Sequence, residues 1–335
     1  MDLRTRMDLK MMIPRCRKIL CVILLLSCVT AALAQERKRV FYLNSYHEGY
    51  GSSDDVMRGI RDVLGRTEVE LKIFLLDSKR RSDKAEIEQT AREAVAAIEA
   101  FQPDVIIASD DNAVQYVIAP RFKHGSVPIV FCGVNWSADQ YDLPRQHVTG
   151  MLEVVPVRET IETIRRFYPR LKRLFVLSEE SLAEASNRRA LAPVYRALGL
   201  KVTYANVRDF ADWKRQFSVA QEQADLLYLP TNGAIKGWDE AAARAFVKAN
   251  IRQPVITTDD FMMPYAVFGL TKVAREQGEW AARKALEILA GRSPADIPIT
   301  RNQQSQAWFN PWLAARIKFK PDARLLKQCR IIKPD

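Results

Sequence analysis

The stretch VFYLNSYHEGYGSSDD, residues 40–55, changes character partway along. Val40 to Leu43 is apolar without alternation, as in a strand buried on both faces. From Asn44 onward come two tyrosines, a histidine, glycines, serines and aspartates, and then Val56, Met57, Ile60 and Val63 return at helical spacing. A wholly apolar strand followed by an amphipathic helix is the repeating unit of a parallel sheet covered on both sides. The unit recurs: apolar runs at 71–76, 105–108 and 129–134 alternate with helical stretches. In the helix expected over 85–101, Ile87, Ala91, Ala94, Val95, Ile98 and Phe101 share one face.

The segment HVTGMLEVVPV (147–157) interrupts this rhythm and reads as an extended crossover. Alternation restarts with a strand at 173–177, a helix at 182–198, strands at 202–207, 226–229 and 254–257, and a helix at 274–289 closed by Gly291. The reading is an α/β fold of two Rossmann-like lobes with parallel sheets, hinged by crossovers.

In parallel sheets ligands bind outside the carboxyl ends of the strands. The residues just past the apolar runs therefore form the candidate ligand site: Tyr46, Tyr50, Asp110, Asp111, Asn135, Trp136, Glu179, Thr231, Asn232 and Asp259. Ser, Asp and Asn at these positions also serve as N-caps, and Ser52 with Asp55 reads as a capping pair. Tyr46, Tyr50, Trp136 and Asn135 are harder to explain as caps, and aromatics beside open strand ends suit stacking on a small organic ligand. Asp110, Glu179 and Asp259 without a cation would repel one another, and Tyr46, Tyr50 and Trp136 offer ring faces. Both features point to a small organic ligand with an amino or other cationic group; Asn135 and Thr231 offer donors to a carboxylate.

Arg15, Arg17 and Lys18 precede an apolar segment over 19–34 that ends Ala-Leu-Ala, the layout of an export signal cut before Gln35. Lipid attachment at Cys28 is the alternative. Both place the rest of the chain outside the cytoplasm, in the periplasm. The net charge of +11 includes six basic and two acidic residues in 1–34, leaving +7 afterwards. No basic stripe interleaved with aromatics tracks a phosphate backbone, so no nucleic-acid partner is expected. Cys132 and Cys329 remain, too few for a disulfide framework, and Cys132 reads as a buried free thiol. In GYGSSD (49–54) Asp54 replaces the third glycine of a dinucleotide fingerprint. There is no P-loop lysine motif, no nucleophile elbow and no paired histidine spacing, so neither cofactor nor metal is expected. Catalysis with Asp110 or Asp111 as base is the less favoured alternative to binding.

The motifs YLNSYHEGYGSSDDVMRGI, PDVIIASDDNA, PIVFCGVNW, VTGMLEVVPV and REQGEWAARKALEILAGRSPADIPI together resemble a known family. It is the ABC-transporter substrate-binding family, of the type I periplasmic binding fold, which includes tryptophan- and tyrosine-binding members. The resemblance covers residues 38–330. It implies crossovers near 150, 265 and 298, hence a first lobe of 35–152 plus 266–298 and a second of 153–265 plus 299–335, after a signal peptide at 1–34. It implies ligand contacts at Tyr46, Asp110, Asn135, Glu179, Thr231 and Asp259. The implied activity is capture of a small solute by a monomer and delivery to an ABC permease. Similar segments also serve as sensor modules of membrane kinases, so a membrane sensor is the alternative partner.

Overall fold

The computed structural model describes residues 37–333 apart from Ser82 and Pro144. The expected export segment, with Cys28 and the cut before Gln35, lies outside the described residues.

The first series runs β1 (Arg39–Asn44), α1 (Gly51–Leu64), β2 (Glu70–Leu75), α2 (Lys84–Phe101), β3 (Val105–Ser109), α3 (Asp110–Ala113), β4 (Ile129–Asn135) and β5 (Val148–Glu153). Helix α3 continues as a π-helical stretch over Val114–Phe122. The second series is α4 (Val157–Arg165), β6 (Arg173–Glu179), α5 (Leu182–Ala197), β7 (Lys201–Val207), α6 (Phe210–Gln223), β8 (Leu226–Tyr228), α7 (Glu240–Asn250), β9 (Val255–Thr257) and β10 (Phe268–Lys272). The chain ends with α8 (Ala274–Leu289), β11 (Thr300–Arg301), β12 (Ser305–Phe309), α9 (Pro311–Arg316), α10 (Ala323–Gln328) and β13 (Cys329–Ile331).

Among the described residues these strands make two sheets, ordered β11-β5-β4-β3-β1-β2 and β13-β12-β10-β9-β8-β6-β7. The first is parallel throughout; the second is parallel except where β12 runs against β10. Each sheet turns back beside its first strand, β1 or β6, which opens a crevice at the strands' carboxyl ends. The period of two along β1 explains why it is apolar on both sides. Phe41 and Leu43 pack into the core shared with α2, while Val40 and Tyr42 pack into the core shared with α1 and α8.

Two expectations shift. Residues 148–153 of the presumed crossover form β5, buried along its length and paired with β4, so only 154–156 passes between the sheets. β10 pairs with β9 in the second sheet, so the second crossing falls at Val273, later than the expected 265. The third lies between β11 and β12. These crossings are tied together. The Asn302 side chain accepts from Val154 N (2.7 Å) and donates to Val154 O (3.1 Å), and the Glu276 carboxylate accepts from Gln303 N and Gln304 N.

Helix α8 returns to the first sheet and packs against α1 through small residues. A Cβ on Gly278 would stand 1.9 Å from the Val56 carbonyl oxygen, so the backbones touch where no side chain fits. The expected Ser52–Asp55 capping pair does not form. Tyr50 is the N-cap residue without a side-chain cap bond, and Asp54 instead accepts from Gly49 N. Ser53 and Asn44 bond each other, joining the helix start to the strand end. Cys132 is buried and free, as expected.

Candidate functional site

The carboxyl ends of the two sheets face each other across a cleft. From the first sheet, Tyr46 follows β1, Lys79 follows β2, Asp110 follows β3, and Asn135 and Glu153 end β4 and β5. From the second, Glu179 ends β6, Tyr228 and Thr231 come from β8 and the turn after it, Asp259 follows β9, and Lys272 ends β10. Strand ends of both lobes therefore line the cleft. Asp77, Asp110 and Trp136, which follow β2, β3 and β4, have φ of 54°, 71° and 65°; Gln102, Asp142 and Lys318 take the same region away from the cleft. Non-glycine residues take that region rarely and are held there by their surroundings.

The cleft is closed by its own side chains. Tyr46 and Tyr50 are 4% and 7% exposed. Their rings meet edge to face at 5.0 Å, and Tyr50 reaches Phe261 of the opposite lobe at 5.3 Å. Gly233 makes room for this contact, since a Cβ there would stand 2.4 Å from a Tyr50 ring carbon. The free space left in the middle is about 20 Å³, enough for one water.

Two lysines cross the gap. The Lys79 ammonium bonds Glu179 of the other lobe and sits 5.1 Å from the Tyr46 ring centre and 5.4 Å from that of Tyr50. Glu179 also accepts from Ala234 N at 2.6 Å. Burial pushes this carboxyl up, but Lys79 and the hydrogen bonds outweigh it, and it is held below its ordinary range. The Lys272 ammonium bonds Glu153 and lies 3.3 Å from Asp259. Burial opposes its charge, yet Asp259 and Glu153 overcome that and raise its pKa.

The remaining carboxyls are less well compensated. Asp110 accepts from Tyr46 Oη at 2.8 Å, and its pKa is pushed up to about 8, first by burial and then by Glu153. Asp259 is raised to about 6 by burial, against the pull of Lys272. Glu184, bonded by Ser178 and Asn187, is raised to about 7, again by burial.

Of the residues singled out in the sequence, Tyr46, Tyr50, Asp110, Asn135, Thr231 and Asp259 line the cleft, and Glu179 joins it through Lys79. Asp111 does not. It turns into the first lobe, where Asn135 Nδ2 and Tyr141 Oη donate to it at 2.7 Å each. Trp136 donates to Asn187 Oδ1 of the opposite lobe and borders a separate hollow beside the crossings. Asn232 does not line the cleft; its carbonyl closes a turn with Ile235 N. Lys79, Glu153, Glu184, Asn187, Tyr228 and Lys272 were missed. The strand-end rule reaches Glu153 and Lys272 once β5 and β10 are read as strands. Lys79 lies four residues beyond Leu75, the end of β2.

Among the described residues no helix is long and apolar enough to cross a membrane, and no cluster of three or more His, Cys, Asp or Glu side chains is placed to hold a metal. The sequence matches the family described as ABC transporter substrate binding protein over residues 49–332. Curated proteins yield no match. Among solved structures, a conserved domain protein from Vibrio cholerae superposes with a TM-score of 0.72 at 20% identity, covering 89% of this chain and all (100%) of that one. The ABC domain from Streptococcus pneumonia in complex with L-Trp gives 0.70 at 15% identity, covering 88% and 99%. A 5-methylthioribose transporter solute binding protein from Thermotoga lettingae gives 0.59 at 14% identity, covering 86% and 90%. At these identities the superpositions establish the fold.

Proposed function

We propose, from the premise that the chain belongs to the ABC transporter substrate binding protein family, that its cleft takes a small organic solute bearing an ammonium or similar cationic group. Solute binding is the family's role; the cation is our reading of this particular cleft. The observation that carries it is a charge imbalance. Among the described residues, Asp110, Glu153, Glu179, Glu184 and Asp259 meet in the cleft with only Lys79 and Lys272 to balance them. Burial keeps part of this charge protonated, and an entering cation releases those protons and regains the Coulomb energy. The Tyr46 and Tyr50 faces add a surface for a cation or a planar group. That one solved neighbour holds L-Trp is compatible with an amino-acid solute.

On this reading the protein works outside the cytoplasm as a monomer of two lobes, 35–152 plus 266–298 and 153–265 plus 299–335, the boundary after 265 moving to 273. It presents its solute, chemically unchanged, to an ABC permease. The test is mass spectrometry of small molecules released from the purified protein, followed by calorimetry with amines and amino acids against sugars and dicarboxylates. Binding confined to cationic solutes, recovered intact, is the expected result. Tight binding of a neutral sugar or a dicarboxylate, or conversion of the solute, contradicts it.

A further inference from the structure

We propose that Lys79 is a tethered stand-in for the solute's cationic group, occupying a cage of Tyr46, Tyr50 and Glu179 that the solute's own ammonium takes over. The proposal rests on the cleft being the solute site and adds what selects the solute.

The cage has the parts an ammonium needs. The Glu179 carboxylate is fully buried, and two aromatic faces lie within 5.5 Å of the Lys79 nitrogen, inside the range of cation–π attraction (about 6 Å). The lysine reaches it from the loop between β2 and α2. That loop is pinned to the first lobe beside it, because Ser78 Oγ donates to the Ser45 carbonyl and accepts from Asn112 Nδ2. The anchor is fixed, while the four-carbon stem is flexible. Lys272 differs: it stands at the end of a sheet strand between two carboxylates, Glu153 and Asp259, and serves as their permanent counter-ion.

The small free volume forces a displacement. With about 20 Å³ left, an organic solute enters only when the lobes part, and re-forming this closed arrangement around it requires a side chain to yield its place. Tyr46 and Tyr50 are wedged against each other and Phe261, so the long stem on the loop is the part that can leave. Its departure strips Glu179 of its counter-ion in a buried site, which is strongly unfavourable unless a new positive charge arrives. A neutral solute of the right size lacks that charge, and an anion makes matters worse. Lys79 thereby selects for cations by being one.

The test uses the full chain with alanine at position 79 and n-butylammonium as the probe, a primary ammonium on a four-carbon chain like that of lysine, of which alanine keeps the first carbon. Lys79→Ala is expected to melt below wild type, to regain several degrees with butylammonium in a saturable manner, and to gain nothing from butyrate or n-butanol. Wild type, whose cage is filled, responds much less. The double variant Lys79→Ala, Glu179→Ala loses the response. Where Lys79→Ala does not fold unaided, refolding from urea gives the same reading: recovery with the amine alone supports the proposal. An equal response of wild type and variant, an equal effect of butyrate or butanol, or no recovery with any additive overturns it. A solute that binds wild type and Lys79→Ala equally well overturns this inference and leaves the solute-binding reading standing. Butylammonium rescue in a protein that binds no natural solute leaves the ammonium cage standing but overturns the solute-binding reading, and the stand-in role falls with it.

Discussion

Asp110 shows how a strand-end residue becomes chemically unusual. At the end of β3 it takes φ 71°, and its carboxyl lines the cleft within electrostatic reach of Glu153 and Lys272, with Tyr46 Oη donating to it. Burial, aided by Glu153, lifts its pKa to about 8. The folded protein then holds a proton that the unfolded chain releases near pH 4, so this group's contribution to stability declines as pH rises from about 4 to 8. Asp110→Asn keeps the acceptor and removes the titration. Thermal melts are expected to coincide at pH 4 and to favour the variant by at least about 2 °C at pH 8.5, equivalent to about 1 kcal/mol. A variant that melts lower at every pH contradicts the assignment. The same proton must leave when a cation binds beside it. Calorimetry in buffers of different ionisation enthalpy is expected to show proton release at pH 7, with affinity rising from pH 6 to 8; pH-independent binding without proton release counts against it.

At the scale of elements, the glycine contact between α1 and α8 decides where the chain goes after leaving the second lobe. Gly278→Ala places a methyl 1.9 Å from the Val56 carbonyl, backbone against backbone, with no flexible side chain to yield. A loss of about 3 kcal/mol or more in urea unfolding is expected, at the upper end of overpacking costs; a change below about 0.5 kcal/mol shows that the helices have room to part. This scale also explains what the sequence disclosed. Strands apolar on both faces, such as Val40–Leu43 or Val105–Ala108, announce themselves, and their polar ends located Tyr46, Asp110 and Asp259. β10 was hidden because Gly269 breaks its apolar run, and with it went Lys272. Asp110 and Asp111 are neighbours in sequence, yet the turn sends one to the cleft and the other to Tyr141, which composition cannot reveal. The pairing of Lys79 with Glu179, a hundred positions apart, exists only once two lobes meet.

Among the described residues three short crossings join the lobes, and Asn302 and Glu276 clasp them at one place. Motion of one lobe against the other about these crossings is the opening our reading requires, and domain closure around ligands is a common device of such architectures. Scattering is expected to show a smaller radius of gyration once solute is bound than in a Glu179→Gln variant without it, where the Lys79 latch is cut; identical radii contradict a hinged cleft. On our reading, strand ends from both lobes hold one solute. The most direct measurement is calorimetric affinity for the co-purifying solute in wild type, Tyr46→Ala and Asp259→Ala, one change in each lobe. Weakening of at least about tenfold in both variants, or about 1.4 kcal/mol each, is the predicted result; an affinity that either substitution leaves unchanged places the solute elsewhere.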